Sequence, residues 1–158
     1  MKLPVSTEWM LHCATTLAQL EPGATASAAQ LAEYYDLPPA YLAKQLQALV
    51  RAGLLMATTG PRGGFRLARS PADITLLAIV EAVDGTSAPY ECREIRQRGT
   101  GALPAADCQQ TCVLAVRMAE AHEAWRASLA AVTLAGVLGD IPATAPARTR
   151  SLLGRAGE

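Results

Sequence analysis

The side chains best suited to chemistry in this chain form two pairs of potential metal ligands. Cys108 and Cys112 lie four residues apart, and so do Glu8 and His12 near the start of the chain. Residues i and i+4 of a helix share one face, so each pair could present two ligands to one metal ion. A thiol at a helix N-terminus also ionises more easily, which favours metal binding. The spacing therefore predicts two half-sites, each with two ligands.

The compartment in which the protein works decides how its four cysteines are interpreted. No run of about 18 apolar residues could span a membrane, and the first residues lack the apolar segment of a secretion signal. We therefore expect a cytoplasmic protein without membrane contact. In that compartment cysteines serve more often as ligands or redox thiols than as structural disulfides.

Positive charge is concentrated in one part of this chain, although the formal net charge is zero. Residues 38–70 contain no acidic residue, whereas the segments on both sides are net acidic. The basic residues of this segment are Lys44, Arg51, Arg62, Arg66 and Arg69. A local basic block predicts contact with a polyanion such as DNA.

The basic block coincides with the pattern of a helix–turn–helix followed by a hairpin. Apolar spacing predicts helices over residues 6–20, 28–37, 39–53 and 74–85. The expected caps are Ser6 or Thr7 for the first helix, Ser27 for the second, and residues 70–73 for the fourth. Two short strands around the Gly-rich turn 60–64 predict a hairpin. This order is that of a winged helix–turn–helix over residues 1–85.

The third helix of this domain is expected to lie in the major groove with its N-terminal half leading. Its outward residues there are Tyr41, Lys44 and Gln45. Glutamine can pair with adenine edges, and lysine with guanine or phosphate. The sequence therefore predicts that this helix reads double-stranded operator DNA.

The hairpin is expected to be the wing of the domain, with Arg62, Gly63 and Gly64 at its tip and Arg66 on its second strand. A guanidinium at the tip could enter a narrow minor groove. The alternative interpretation is that the basic residues only solubilise a small α+β domain. We favour the DNA interpretation because helix–turn–helix, wing and charge coincide.

The rest of the chain is predicted to be a loop, a long helix and a tail. Residues 86–107 are rich in Gly, Pro and charge without a period, which indicates a loop. Residues 108–140 are predicted as a helical region whose apolar stripe is too long for one small domain to cover, which predicts pairing with a second copy. Residues 141–158 are expected to be a flexible tail. The predicted fold is mainly α, with a small β-hairpin wing and a long dimerisation helix.

Two segments of the sequence resemble those of a known protein family. The segment YLAKQLQALVRAGLL is similar to the recognition helix, and GPRGGFRLA to the wing, of the Rrf-type bacterial regulators, the family of IscR and NsrR. The resemblance extends over nearly the whole chain, because these proteins also have a cysteine loop followed by a long dimer helix. It implies a homodimer on a roughly palindromic operator, often with a [2Fe–2S] or [4Fe–4S] cluster as its sensor.

The cysteine spacing departs from the family's common pattern of three cysteines a few residues apart. Here Cys92 is followed by Cys108 after 15 other residues, with Cys112 close behind. We therefore predict that Cys92 is not a ligand. Cys13 faces about 100° away from His12 in a helix and is predicted to be a core residue.

The resemblance completes a ligand set for a [2Fe–2S] cluster from Glu8, His12, Cys108 and Cys112. This set is similar to that of an actinobacterial redox regulator of the family, with thiolates on one iron and a carboxylate and an imidazole on the other. Histidine ligation raises the potential of such clusters. We expect Glu8 and His12 to come from the second subunit, and Trp9, beside them, to relay the cluster state to the DNA-binding domain.

Two other classes of function compete with this redox-sensing regulator. Cys108, Cys112, His12 and a carboxylate would also form a tetrahedral structural zinc site, and the thiols could sense oxidants without any metal. An enzyme is not expected, because the sequence lacks a Cys-x-x-Cys motif, a βαβ pattern and a phosphate-binding Gly loop.

Overall fold

The computed structural model describes residues 2–60 and 63–153 and divides them into two compact units. The larger unit contains Lys2–Gly85 and the chain from Leu129 onward. The smaller unit is the intervening segment, Thr86–Ser128. No helix in the described ranges is long and apolar enough to cross a membrane.

The larger unit is built from six helices and one antiparallel hairpin. Its helices are α1 Val5–Leu17, α2 Ala28–Tyr35, α3 Pro39–Arg51, α4 Leu76–Asp84, α6 Leu134–Asp140 and α7 Ala145–Leu153. The hairpin pairs β1 Leu55–Thr58 with β2 Gly64–Leu67. The helix α5, Val113–Ala130, lies almost wholly in the smaller unit. The prediction of a mainly helical fold with a hairpin wing is confirmed.

Local signals fix the helix–turn–helix as the sequence predicts. The hydroxyl of Ser27 accepts from the Gln30 amide at 3.2 Å, and the Gln30 side chain accepts from the Ser27 amide at 2.7 Å. This capping box satisfies donors that the start of α2 would leave unpaired. Pro39 is the first residue of α3, where its missing N–H costs nothing. Both helix starts are therefore confirmed.

Two predicted caps are wrong. The residue before α1 is Pro4, which makes no side-chain cap, and both Ser6 and Thr7 lie buried within the helix. Ser70 caps only a short 3₁₀ turn, Pro71–Asp73, whereas Thr75 caps α4 by accepting from the Ala78 amide at 3.1 Å. Sequence order alone did not decide which of several Ser and Thr residues would act as a cap.

An apolar core joins the helices of the larger unit to the hairpin. It includes Met10, Cys13, Leu31, Leu42, Leu46, Leu49, Phe65, Ile79 and Leu134. Leu42, Leu46 and Leu49 are fully buried and lie on one face of α3, so the opposite face is left for other contacts. The core thus orients the recognition helix predicted from the sequence.

An isolated β-bridge joins the wing to the residue that precedes the N-cap of α2. Ala26 and Phe65 exchange two backbone hydrogen bonds, of 3.0 and 2.8 Å. A Cβ atom on Gly64 would lie 2.7 Å from the Ala26 carbonyl, and one on Gly63 would collide with the Thr58 carbonyl oxygen. Both glycines are therefore required by the close approach of backbone segments, whether or not they touch DNA.

The helix predicted from residue 108 is shorter than expected. It begins at Val113, ends at Ala130 and is followed by a break. At the break Leu76 donates to the Val132 carbonyl and Leu134 to the Ile74 carbonyl, each at 2.9 Å. Leu134 is consequently a fully buried core residue of the larger unit, not the end of an apolar stripe.

The expected flexible tail contains the helix α7 up to residue 153. Its Thr149 hydroxyl donates to the Gln19 side chain at 2.8 Å and lies 3.2 Å from the Tyr34 hydroxyl. Thr149 and Leu153 are both buried. These contacts with distant residues stabilise a helix that the local sequence did not indicate.

Candidate nucleic-acid interface and cysteine centre

The outward face of α3 carries the residues predicted to read DNA. Tyr41 and Lys44 are exposed, and Gln45 is half-buried. All three lie on the first half of the helix, away from the buried leucines. Arg66 is half-buried on β2, while Arg62, predicted for the wing tip, lies outside the described residues. The face therefore presents hydrogen-bonding groups and positive charge, as groove contacts require.

The first helix is in direct contact with this reading face through aromatic rings. Trp9 of α1 and Tyr41 of α3 are packed edge to face, with ring centroids 5.5 Å apart and an interplanar angle of 88°. Such edge-to-face pairs are a favoured geometry, so the two rings stabilise the contact between α1 and α3. Trp9 follows Glu8 directly in the sequence, which links the predicted ligand helix to the recognition helix.

Glu8 and His12 are both exposed on α1. They line a shallow, largely apolar cavity together with Lys2, Leu3, Pro4, Val5, Thr7 and Leu11. The Tyr35 ring lies 5.8 Å from the His12 ring, and its hydroxyl donates to the His12 carbonyl at 3.3 Å. The same hydroxyl shares a 2.6 Å hydrogen bond with Thr16. Two potential ligands thus face outward from a well-held helical turn.

Cys13 is fully buried in the core of the larger unit, as predicted. Burial raises the pKa of its thiol to about 12, because the thiolate cannot be solvated there. The protonated form of this thiol is therefore favoured, and its position is that of a core side chain.

Cys108 and Cys112 do not share a helical face, contrary to the sequence prediction. Cys108 ends a 3₁₀ turn, Ala105–Cys108, whereas Cys112 directly precedes α5. The Cys112 carbonyl accepts the Val116 amide at 3.1 Å, so this residue begins the helical hydrogen-bond pattern. The prediction of a thiol at a helix start holds for Cys112 alone.

The Cys112 thiol is stabilised as a thiolate by the start of α5. The amides of Ala115 and Leu114 lower its pKa below the ordinary value, with smaller contributions from Cys92 and Arg96. Free N–H groups and the helix dipole at this end favour negative charge. Cys112 therefore combines near-complete burial with an increased tendency to ionise.

The structure brings Cys92 to Cys112, although 19 residues separate them in the sequence. The two thiols are neighbours that influence each other's ionisation, and Cys92 contributes to lowering the pKa of Cys112. At Cys92 the Glu94 amide lowers the thiol pKa, but partial burial, the Glu94 carboxylate and Cys112 together raise it above its ordinary value. The result is a thiol paired with a more acidic neighbour.

Arg96 connects the chain around the three loop cysteines, Cys92, Cys108 and Cys112, which form the cysteine cluster. Its guanidinium donates to both Glu94 carboxylate oxygens, at 2.8 and 2.9 Å, and to the Gln110 carbonyl at 3.1 Å. The pKa of Arg96 is raised by Glu94 and, to a smaller extent, by Cys108 and Cys112. Neither Glu94 nor Arg96 was predicted from the sequence, although the alternating charges that follow Cys92 (CREIR) were an available signal.

Within the described ranges of one chain, no group of three or more His, Cys, Asp or Glu side chains is placed to hold a metal ion. The neighbouring thiols and the Glu8–His12 pair are each incomplete as metal sites. A four-ligand centre therefore needs donors beyond either set.

Comparison with known proteins decides the family. Residues 3–140 match the Rrf2 family, described as iron-dependent transcriptional regulators. The chain belongs to this family. It is 30% identical over 142 residues to the HTH-type transcriptional regulator NsrR of Geobacillus kaustophilus, covering 89% of this chain and 91% of that protein.

Solved structures show the same fold. CymR, the global cysteine regulator of B. subtilis, superposes with a TM-score of 0.68 at 22% identity, over 90% of this chain and 99% of that one. IscR of T. potens gives 0.66 at 22% identity, over 89% and 88% of the two chains. The relatives of this chain are transcriptional regulators and not enzymes, as the sequence predicted. This chain is a DNA-binding transcriptional regulator of the same family.

Proposed function

We propose that this regulator senses redox state through a [2Fe–2S] cluster and binds operator DNA as a homodimer. The observation that carries the proposal is the neighbouring pair of thiols, Cys92 and Cys112, of which Cys112 has a lowered pKa. Thiolates are the protein ligands that iron–sulfur clusters require. A preassembled dithiol in a family described as iron-dependent fits that group.

We infer the thiol ligands from the positions of the three loop cysteines, Cys92, Cys108 and Cys112. The sequence favoured Cys108 with Cys112, but the contact between Cys92 and Cys112 makes these two the better candidates for one iron. Cys108 lies near the Arg96 guanidinium and is the remaining alternative. When bound, the cluster would supply a one-electron redox change and the visible absorption that reports it.

The other two ligands would come from Glu8 and His12 of a second subunit. Both are exposed and free to face a partner, and they border an apolar surface. The helix α5 also has Val113 and Leu114 more than 60% exposed, and no residue of α5 is buried in the single chain. A helix with so much exposed apolar surface is stabilised by pairing with another copy.

The residues of this chain also provide a route from the ligands to DNA. A change in position of Glu8 or His12 would move the turn of α1 that carries Trp9. Because Trp9 packs edge to face on Tyr41, the displacement would reach the first half of α3. A shift of two recognition helices relative to fixed half-sites is sufficient to weaken operator binding.

The test is anaerobic purification with visible spectra of single alanine variants. Cys112→Ala and Cys92→Ala should abolish the red-brown colour, and Glu8→Ala or His12→Ala should bleach it or make it unstable. Cys108→Ala should keep the colour. If Cys108→Ala abolishes the colour and Cys92→Ala retains it, the thiol pair is the one predicted from sequence. Bleaching by all three cysteine variants, with His12→Ala unaffected, would establish a three-cysteine site instead.

Thiol-based sensing without a metal is the second candidate, because the same Cys92–Cys112 contact suits it. A colourless native protein whose DNA binding is lost with peroxide and restored by dithiothreitol would favour this function. A colourless protein that contains one zinc per chain, and whose DNA binding does not respond to oxidant, would instead support a structural zinc site.

A further inference from the structure

The smaller unit raises the question of what holds its cysteines together. Among residues 86–128, all of which the structure describes, Cys112 is the one residue that is buried. The segment between Cys92 and Cys112 contains only two short 3₁₀ turns, Ile95–Gln97 and Ala105–Cys108. Apolar packing therefore does not fix the distance between the thiols.

Hydrogen bonds of Arg96 connect the separate parts of this segment. The side chain joins Glu94 to the Gln110 carbonyl, and the Arg96 carbonyl accepts the Leu103 amide at 2.8 Å. The side chain of Arg96 is only 25% exposed, which strengthens these contacts relative to a fully solvated pair. One residue thus contacts the regions before, between and after the two turns.

Glu94 connects Arg96 to the first cysteine. Its carboxylate accepts the Cys92 thiol at 3.5 Å while it binds the guanidinium. Its backbone is left-handed, with φ 48° and ψ 48°, a conformation that is costly for a residue with a Cβ atom. The ion pair with Arg96 is among the interactions that offset this cost.

We propose that Arg96 is the positioning residue of the thiol cluster, because its guanidinium joins Glu94 to Gln110 and thereby brings the Cys92 thiol to Cys112. The Arg96 guanidinium also interacts electrostatically with Cys108 and Cys112. This inference deepens the proposed function, since it rests on these thiols being the protein's part of the sensor. It explains how a spacing of 15 and 3 residues between cysteines can still form a compact cluster.

The experiment uses phenylarsine oxide, which binds two neighbouring thiols with loss of water. The full-length, reduced, cluster-free protein carries Cys108→Ala, so that capture reports the pair Cys92 and Cys112. Arg96→Gln should slow capture by roughly tenfold or more, because the two thiols lose their high effective concentration. Arg96→Lys should give an intermediate rate, because it keeps the charge but loses the bidentate fork.

Arg93→Gln is the matched control, since Arg93 is 78% exposed and lies 3.9 Å from Glu91. It removes the same charge from the same segment and should leave capture unchanged. Thermal unfolding and DNA binding of the larger unit should be equal in all variants. In urea, where the chain is unfolded, all variants should capture the reagent at one rate.

An Arg96→Gln rate equal to the native rate would overturn the inference, as would an equal loss in Arg93→Gln. Because the assay needs no cluster, it separates the two proposals. A colourless native protein with slowed capture in Arg96→Gln would sustain the positioning role and refute the cluster. A coloured native protein with unchanged capture would do the reverse.

Discussion

Cys13 in the larger unit and Cys112 in the smaller unit are almost equally buried, at 0% and 6% exposure, yet their thiol pKa values shift in opposite directions. Apolar side chains surround Cys13, so its thiolate would have no partner. The Cys112 thiol instead lies beside backbone amides of the first turn of α5. The comparison teaches that low surface exposure alone does not decide the direction of a thiol pKa shift; the depth of apolar packing around the thiol and the donors near it do.

The two units differ in the same way as these thiols. The larger unit is organised by leucine packing, and its polar groups form caps and strand hydrogen bonds. The smaller unit is organised by one arginine, one glutamate and three thiols, with α5 exposed beside them. Core packing gives the first unit a fixed shape for reading DNA, whereas the second unit gains groups that can change charge.

The largest expected effect is the loss of folding stability at alkaline pH that Cys13 causes. Because the pKa of Cys13 is raised in the folded state, its contribution to the free energy of unfolding is complete below pH 9. That contribution is lost as the pH rises towards 12. The slope for one proton is about 1.4 kcal/mol per pH unit. Urea unfolding at several pH values should show this loss, and Cys13→Ala should flatten it; an unchanged slope would place the thiol in a polar setting.

A second test compares one glycine from each unit. Gly64→Ala should cost on the order of 1–3 kcal/mol, because the new Cβ meets the Ala26 backbone, and it should weaken DNA binding by displacing the wing. Gly101→Ala, in the smaller unit, meets nothing within 4 Å and should be nearly neutral. Chemical denaturation measures both. Equal costs would contradict the difference in packing between the units.

A third test compares the chemical reactivity of the two thiols, Cys13 and Cys112. In the reduced, cluster-free protein at neutral pH, iodoacetamide should modify Cys112 well before Cys13, because only the former has a lowered pKa. Peptide mass spectrometry over time gives the order. Modification of Cys13 first would contradict both its burial and its raised pKa.

The smallest effect is expected at the wing. Arg62→Ala should reduce the slope of log affinity against log salt by about one, as for the loss of one phosphate or minor-groove contact. Lys44→Ala and Gln45→Ala should instead change the preferred operator sequence. Binding titrations at several salt concentrations test both, and an Arg62→Ala protein with native affinity and salt slope would show that the wing does not touch DNA.

Sequence predicted the helix–turn–helix well because its signals are local. Ser27 with Gln30, Pro39 and the leucines of α3 act within one or two helical turns. The contacts of Arg96 with Glu94 and Gln110 were not predicted because they lie in an irregular loop. The helix α7 was missed because Thr149 bonds to Gln19 and Tyr34, more than 100 residues away. In both regions the stabilising partner is distant, and no spacing rule identifies it.

The larger unit is interrupted in sequence by the smaller one, and this has a consequence for synthesis. A ribosome releases residues 86–128 before α6 and α7 exist, so α1 to α4 must wait for the segments that complete their packing. Until Leu134 enters the core and Thr149 reaches Gln19, part of the nascent chain's apolar surface stays uncovered. Truncation before residue 129 would therefore leave a product that chaperones and proteases recognise, even though the whole recognition helix has been made.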